Sequence, residues 1–380
     1  MIFQPDLTEA ELAVLGEIDG LKEKLRFQLH EPRRWFGSLR RLSFARAIQG
    51  SNTIEGYTAE LDDAAAVAAG EDPLDAGVET RMALRGYRDA MTYVLQLANE
   101  PDFYFSEHLI KSLHFMMIGY DLSKSPGLYR PGTVFVYNSE SGEVVYEGAP
   151  ADSVPGLVVE LVEELNARND DHSVIKAGMS HLNLVMIHPF RDGNGRMARA
   201  LQSLVLARDG ILSPVFMSIE EYLGRNTQAY YDVLAEVGGG SWNPANDARP
   251  WIRFTLTAHL RQARTMLRRI RESERLWTEL ERITEREGLP DRVLAVMFDA
   301  AIGFRVRNNT YRASIGELEE ISQATASRDL GRLVDAGLLV SHGEKRGRFY
   351  TRGPTLADVW GSIVQARDPK DDSDPFADVA

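Results

Sequence analysis

His188-Pro189-Phe190-Arg191-Asp192-Gly193-Asn194-Gly195-Arg196-Met197-Ala198-Arg199 brings a histidine, a carboxylate, two glycines flanking an asparagine and two arginines into twelve consecutive positions. Upstream, Val174 to Ile187 carries Ile175, Met179, Leu182, Val185 and Met186 near the helical period. Pro189 ends that helix and leaves His188 at its C-terminus. Downstream, Arg196 to Arg208 reads as a second helix, with Ala198, Leu201, Leu204 and Val205 on its apolar face and Gly210 as its stop. The glycine-rich loop between them opens into the second helix's N-terminus.

That arrangement suits a nucleotide-phosphate site. Unpaired N–H groups and the positive dipole end at a helix start favour an anion, and glycines let phosphate oxygens approach the main chain. Gly193 and Gly195 fit that task. Arg196 and Arg199 are three residues apart, so both can face one side and grip successive phosphates. Asp192 is a hard oxygen ligand of the kind Mg²⁺ accepts when phosphates complete its shell. His188 titrates near neutrality and could deprotonate an attacking hydroxyl. Taken singly, each of these features is an ordinary helix end, turn or solvated face. Their conjunction points to chemistry.

The stretch resembles the signature of the Fic (filamentation induced by cAMP) family, His-x-Phe-x-Asp/Glu-Gly-Asn-Gly/Lys-Arg-x-x-Arg, at every defined position. The resemblance implies a mainly α fold, a compact helical core that moves AMP from ATP to a Ser, Thr or Tyr hydroxyl of a protein. It implies His188 as general base and Asp192 as Mg²⁺ ligand. Gly193, Asn194 and Gly195 would form the anion cradle, with Arg196 on the α/β-phosphates and Arg199 on the γ-phosphate. Members with Lys at the position of Gly195 transfer phosphate instead, so Gly195 implies the adenylyl-transferring branch.

Ser51-Asn52-Thr53-Ile54-Glu55-Gly56 resembles the same family's inhibitory motif, Ser/Thr-x-x-x-Glu-Gly/Asn. Locally, Leu42 to Ile54 is helix-permissive, Gly56 can terminate it, and Glu55 projects a carboxylate from the last turn. The helix dipole disfavours that carboxylate unless a cation compensates. The resemblance supplies the cation as Arg199, so that Glu55 would take the γ-phosphate's partner and hold the enzyme off. Ser51 and Gly56 complete the motif. Glu55 could also orient water to remove AMP from a modified target.

Between the motifs, Gly127-Leu128-Tyr129-Arg130 precedes Val134 to Val136, a polar turn from Asn138 to Gly142, and Val144 to Tyr146, which reads as a β-hairpin. Its edge could pair with an extended protein segment. By resemblance the 133–146 hairpin is a flap that aligns the protein substrate over His188. Arg225 to Tyr231 begins a further helix. Resemblance places Asn226 and Tyr230 in the adenine pocket, although a tyrosine at helical spacing equally suits the core.

The whole chain sets limits. Its 380 residues, 44% hydrophobic, exceed one compact core and imply two or three domains. Cysteine is absent and the net charge is −13, which argues against disulfides, thiolate chemistry and generic nucleic-acid binding. No apolar run reaches membrane-spanning length, and Met1 to Leu15 lacks the features of a signal peptide, so the expected location is the cytoplasm.

From about Leu289 to Arg352 the order is helix (Ile315 to Ile321), helix (Gln323 to Ala336) and two short strands (Leu338 to Ser341, Arg348 to Thr351), which resembles a C-terminal winged helix-turn-helix domain. Ser322 would cap its second helix, with Leu330, Leu333 and Val334 inward. Gln323, Thr325, Ser327 and Arg328 could face a DNA groove, with Lys345, Arg346 and Arg348 on the wing. The nearby acids Glu317, Glu319, Glu320, Asp329 and Asp335 dilute the field DNA needs, which favours dimerisation or protein docking.

The expected organisation is an N-terminal helical region with the inhibitory helix (1–100), a catalytic core (101–245), a helical connector (246–288), the winged helix (289–355) and a partly disordered tail (356–380). ATP and Mg²⁺ are the implied substrate and cofactor, and self-modification and a homodimer accompany the protein partner. Two other functions stay open: a DNA-binding regulator whose core senses nucleotide, and a transferase of another nucleotide or phosphate-linked group.

Overall fold

The computed structural model describes residues 1–30, 33–138, 141–167, 171–208, 218–315, 320–344, 347–369 and 373–377. The fold is mostly helical, as expected. Its centre is the pair α7 (Ser173–Ile187) and α8 (Asn194–Arg208), nearly every residue of which is buried. Around the pair stand α1 (Glu9–His30), α2 (Phe36–Ile54), α3 (Leu61–Ala68), α4 (Val78–Leu97), α5 (Glu107–Ile118) and α6 (Val154–Asn166). The N-terminal stretch is pinned to the centre by Asn183, whose side-chain amide bonds both main-chain groups of Phe3 at 2.8 and 3.0 Å.

Helix α2, which carries the Ser51 to Gly56 motif at its end, starts six residues before the stretch read as helix-permissive and ends where expected, with Gly56 at φ +84°. It packs against α9 (Glu220–Arg225), backbone to backbone at Gly50 and Gly224. A side chain at Gly50 would strike the carbonyl of Glu220, so the two helices can be this close only because Gly50 has none.

The expected hairpin is present as β1 (Phe135–Tyr137) paired antiparallel with β2 (Val144–Glu147). Residues 139 and 140 of its turn, and Gly210 beyond α8, lie outside the described residues. After α10 (Thr227–Gly238) comes α11 (Arg249–Arg286), whose 38 residues span roughly 57 Å at 1.5 Å per residue. Trp251 at its start packs against His181 of α7, and Trp277 near its end packs against Phe298 of α12 (Leu294–Ala301). One helix thus ties the centre to the C-terminal elements.

Those elements are α12, α13 (Asn308–Ile315), α14 (Gln323–Asp335) and an antiparallel pair, β3 (Leu339–His342) with β4 (Phe349–Arg352), joined by a bridge from Val306 to Tyr350. A helix ends at Ile315, with Tyr311 and Ile315, four apart, as its buried residues; most of the helix expected at Ile315 to Ile321 falls on residues 316–319, outside the described residues. Residues 320–322 are not helical, since Ser322 adopts an extended conformation and its Oγ accepts the Thr325 N–H at 3.1 Å to cap α14. Glu317, Glu319, Lys345 and Arg346 lie outside the described residues. Asp329 does not face outward either: it is buried, bound by Arg292 at 2.7 Å and by the Tyr311 hydroxyl at 2.9 Å.

The stretch expected as a partly disordered tail opens in a helix. Pro354–Gln365 is a helix, α15, with Leu356 and Ile363 buried and Val359 and Trp360 packed beside them. Farther on, Phe376 is buried under the guanidinium of Arg253, 5.1 Å away. Apolar residues at helical spacing after Pro354 outweigh the acidic composition that follows them.

Candidate active site

His188 caps α7 in the left-handed region, at φ 53° and ψ 59°. A non-glycine residue there is strained and has to be held. Arg130, 4% exposed, does the holding. Its Nε donates to the His188 carbonyl at 2.7 Å, its Nη1 to Gly132 at 2.6 Å and its Nη2 to Ala149, while its own N–H donates to Pro189 at 3.0 Å. One guanidinium therefore joins the end of α7 to both sides of the hairpin. The Tyr146 hydroxyl adds a bond to the Met186 carbonyl at 2.9 Å.

The half-buried His188 ring donates from Nδ1 to the Val185 carbonyl at 3.0 Å. That contact fixes the tautomer and leaves the Nε2 lone pair for a proton. Burial pushes the ring's pKa down to about 4, against the opposing pull of the Val185 carbonyl, so it is neutral at physiological pH.

The loop after His188 is closed by Asn194. Its side-chain oxygen accepts the Phe190 N–H and its amide donates to the Phe190 carbonyl, both at 2.9 Å. Asn194 thus shapes the loop with its side chain and leaves the main chain of Gly193 and Gly195 to face the site. Gly193 sits at φ +77°, which an L side chain rarely adopts. His114 of α5 braces the loop from below. Its Nδ1 accepts the Gly127 N–H, its Nε2 donates to the Asp192 carbonyl, each at 2.8 Å, and its ring stacks on Phe190 at 3.6 Å.

Arg196 and Arg199 are fully buried where α8 begins. Arg196 Nε and Nη1 and Arg199 Nη1 have no hydrogen-bond partner among the described residues. Buried guanidinium donors without acceptors are costly, and a bound anion relieves that cost. Arg196 also lies over the Tyr57 ring at 5.4 Å.

Arg199 is the hub of the inhibitory contact. Its Nε donates to Ser51 Oγ at 2.8 Å, and its Nη2 donates to the Ser51 carbonyl at 2.9 Å and to Glu55 Oε1 at 2.6 Å. Burial disfavours the Arg199 charge, but Glu55 more than compensates and the pKa is raised. A Cβ at position 195 would stand 2.6 Å from Glu55 Oε1, so Gly195 also makes room for this carboxylate.

Asp192 is half-buried. Its Oδ1 accepts the Gly193 N–H at 2.6 Å and its Oδ2 pairs with Lys124 at 2.7 Å. Burial raises its pKa, but the Lys124 hydrogen bond and the charge of Arg196 prevail and the pKa is lowered. The carboxylate is therefore ionised and already attracts a cation, which fits a metal ligand.

The structure brings together His188, Asp192, Gly193, Asn194, Gly195, Arg196, Arg199, Ser51, Glu55 and Gly56. Tyr230 is 1% exposed, shares a hydrogen bond of 2.9 Å with His181 Nε2, and lies close enough to Arg199 and Glu55 to feel both charges. Asn226 stands at the end of α9, where its amide donates to the Tyr222 carbonyl at 2.8 Å, and it lines a cavity beside α11. The neighbour Tyr231 donates its hydroxyl to the Ile54 carbonyl at 2.8 Å, one residue before Glu55. Arg130, His114, Lys124 and Tyr231 were not singled out as site residues by sequence. Only Arg130 carried a signal, through its place just before the hairpin.

A family model described as the Fic/DOC family matches residues 104–206. Among curated relatives, the protein adenylyltransferase Fic of Nematostella vectensis is 28% identical over 270 residues, 66% of this chain and 55% of the relative. The protein adenylyltransferase fic-1 of Caenorhabditis briggsae is 32% identical over 125 residues, 30% of this chain and 22% of the relative. The chain spans about half the length of the first relative and about a fifth of the second. A Fic family protein from Desulfovibrio desulfuricans shares the fold with a TM-score of 0.58 and 24% identity, over 93% of this chain and 99% of that one. The matched stretch contains the His188 to Arg199 loop, whereas Ser51 and Glu55 reach it from α2 through Arg199.

Proposed function

We propose that the protein transfers AMP from ATP to a Ser, Thr or Tyr hydroxyl of a protein and is held off by Glu55. The observation that carries this reading is the set of unpartnered guanidinium donors on Arg196 and Arg199 beside a neutral His188. The names of the curated relatives support the same activity.

His188 Nε2 takes the proton of the attacking hydroxyl as its oxygen bonds to the α-phosphorus, and the bond to the β-phosphate oxygen breaks to release pyrophosphate. Arg196 holds the α/β-phosphate region and Arg199 the γ-phosphate. The main chain of Gly195 at the start of α8 supplies a further N–H donor. Asp192 would hold Mg²⁺, which would neutralise phosphate charge when bound; Lys124 must then leave Oδ2.

Glu55 occupies the Arg199 donor that the γ-phosphate needs, so ATP enters with its polyphosphate displaced. The target docks along β1. The outer side of β2 is already engaged at Glu147, which bonds Gly240 and Trp242 at 2.9 and 3.1 Å. A target strand on β1 would lie beside His188, since Gly148 at the base of the hairpin abuts the His188 Cβ. Self-modification stands in for an unidentified target in the test: label from α-labelled ATP should appear on the chain, rise when Glu55 is removed, and vanish without His188.

We assign residues 289–355 to a winged-helix module and read it as a protein-docking or dimerisation element. Gln323, Ser327 and Arg328 face outward on α14, but Ser327 is already bonded to Asn308 at 2.9 Å. A protein acting in the cytoplasm is the setting this reading expects. No helix among the described residues is long and apolar enough to cross a membrane.

A further inference from the structure

A cavity of about 420 Å³ lies between α9, α11 and α15, on the far side of α9 from Glu55. Seven arginines and three carboxylates line it among the described residues, in a chain whose net charge is −13. The positive charge is patterned. Arg261, Arg264, Arg268, Arg271 and Arg275 recur every three or four residues and form one stripe along α11.

Two of the carboxylates are consumed within the wall. Glu221 is buried and bound by both Arg269 amino groups at 2.6 and 2.7 Å, by Arg225 at 2.7 Å and by Arg46 of α2 at 3.2 Å. Glu272 is buried and held by two bonds from Arg367, at 2.7 and 2.9 Å. Arg271 and Arg275, one turn apart, have no ion-pair partner among the described residues. Arg268 shows the crowding: burial lowers its pKa first, Glu272 opposes this, and the charges of Arg367, Arg269 and Arg225 lower it further. Arg264 is paired with Glu17 at 2.6 Å, so the charge left over is that of Arg271 and Arg275; two guanidinium groups at a concave site suit a compact polyanion, whereas a duplex would call for an open, extended stripe.

We propose that this cavity binds a small polyphosphate anion, either an inorganic chain or the phosphates of a nucleotide, through Arg271, Arg275 and their neighbours. The site is separate from the His188 loop, and its existence does not depend on AMP transfer.

Calorimetric titration of the full chain with tripolyphosphate, a non-hydrolysable GTP analogue and a short DNA duplex at matched ionic strength tests it. Arg271→Glu/Arg275→Glu should weaken tripolyphosphate binding by about tenfold or more, and Arg271→Gln/Arg275→Gln, which removes the charges without reversing them, should weaken it in the same direction. Self-labelling from ATP should be unchanged in both variants. Hydrogen exchange on adding tripolyphosphate should slow within 261–275 in the parent and not in the variants. Tighter binding of the GTP analogue than of tripolyphosphate would identify a nucleotide as the source; equal binding would identify the phosphate chain. Unchanged tripolyphosphate affinity in both variants, or binding of the duplex alone, would overturn the proposal.

Discussion

Arg199 Nη2 meets Glu55 Oε1 at 2.6 Å across the gap between α8 and α2, and the arginine side chain is fully buried while the carboxylate is 19% exposed. The contact joins two stretches 144 residues apart and places the Glu55 carboxylate directly on a donor that the proposed function assigns to the γ-phosphate. Removing Glu55 leaves a buried charge with only Ser51 to bond. Glu55→Ala should therefore lower unfolding stability by about 1–2 kcal/mol, a loss reduced by the carboxylate's partial exposure. Urea denaturation of parent and variant reads it, and an unchanged midpoint would mean that water or Ser51 replaces Glu55 at no cost.

Arg130 holds His188 in its left-handed conformation by a guanidinium that bonds the carbonyls of His188, Gly132 and Ala149 together, a fork that a lysine cannot reproduce. In a Glu55→Gly background, Arg130→Lys should slow self-labelling about a hundredfold, the scale of a misplaced catalytic group. Because Arg130 acts through position, saturating ATP should not rescue the rate, whereas a merely weakened nucleotide site would be rescued. Near-parent rates in Arg130→Lys would refute the positioning role.

The buried histidines set the acid limit. His188 and His114 are lowered to about 4, and His181 and His259 to about 3, in each case mainly by burial. Their folded values lie below the unfolded value of about 6.5, so the unfolded chain binds more protons between the two. Their contribution to stability is complete above about pH 6.5 and falls as pH drops toward 4 and 3. Melting temperature should decline through that window, and the transfer rate of the free enzyme should show no acid limb centred near 6.5. A limb there would mean that the His188 ring is solvated before the target docks.

Tyr231 ties its hydroxyl to the Ile54 carbonyl, the last residue of α2. Tyr231→Phe removes one bond, worth about 1 kcal/mol, and should raise basal self-labelling by about fivefold. Initial rates with α-labelled ATP measure this. No change would mean that Tyr231 does not hold the inhibitory helix.

Much of this site was legible because it is local. The helix, loop and helix from Ser173 to Arg208 follow from apolar spacing, Pro189 and the glycines, and the Ser51 to Gly56 motif carries its own chemistry. What escaped reading depends on distant packing. Arg130 serves His188 across 58 positions. His114 lies in an apolar helix, where it reads as core, and only the fold shows both its ring nitrogens used by the loop. Tyr230 and Tyr231 are adjacent, and which one turns inward is decided by His181 and Trp251. The helix α13 is legible only through Tyr311 and Ile315, whose spacing is helical and whose side chains are buried.

The central claim is that His188 moves AMP and Glu55 restrains it. The most direct test incubates the parent, Glu55→Gly and Glu55→Gly/His188→Ala with Mg²⁺ and ATP labelled on the α- or the γ-phosphate, and reads label bound to protein. The account expects label from the α position alone, weak in the parent, stronger in Glu55→Gly and absent in the double variant. Label from the γ position, or α label that survives loss of His188, would contradict it.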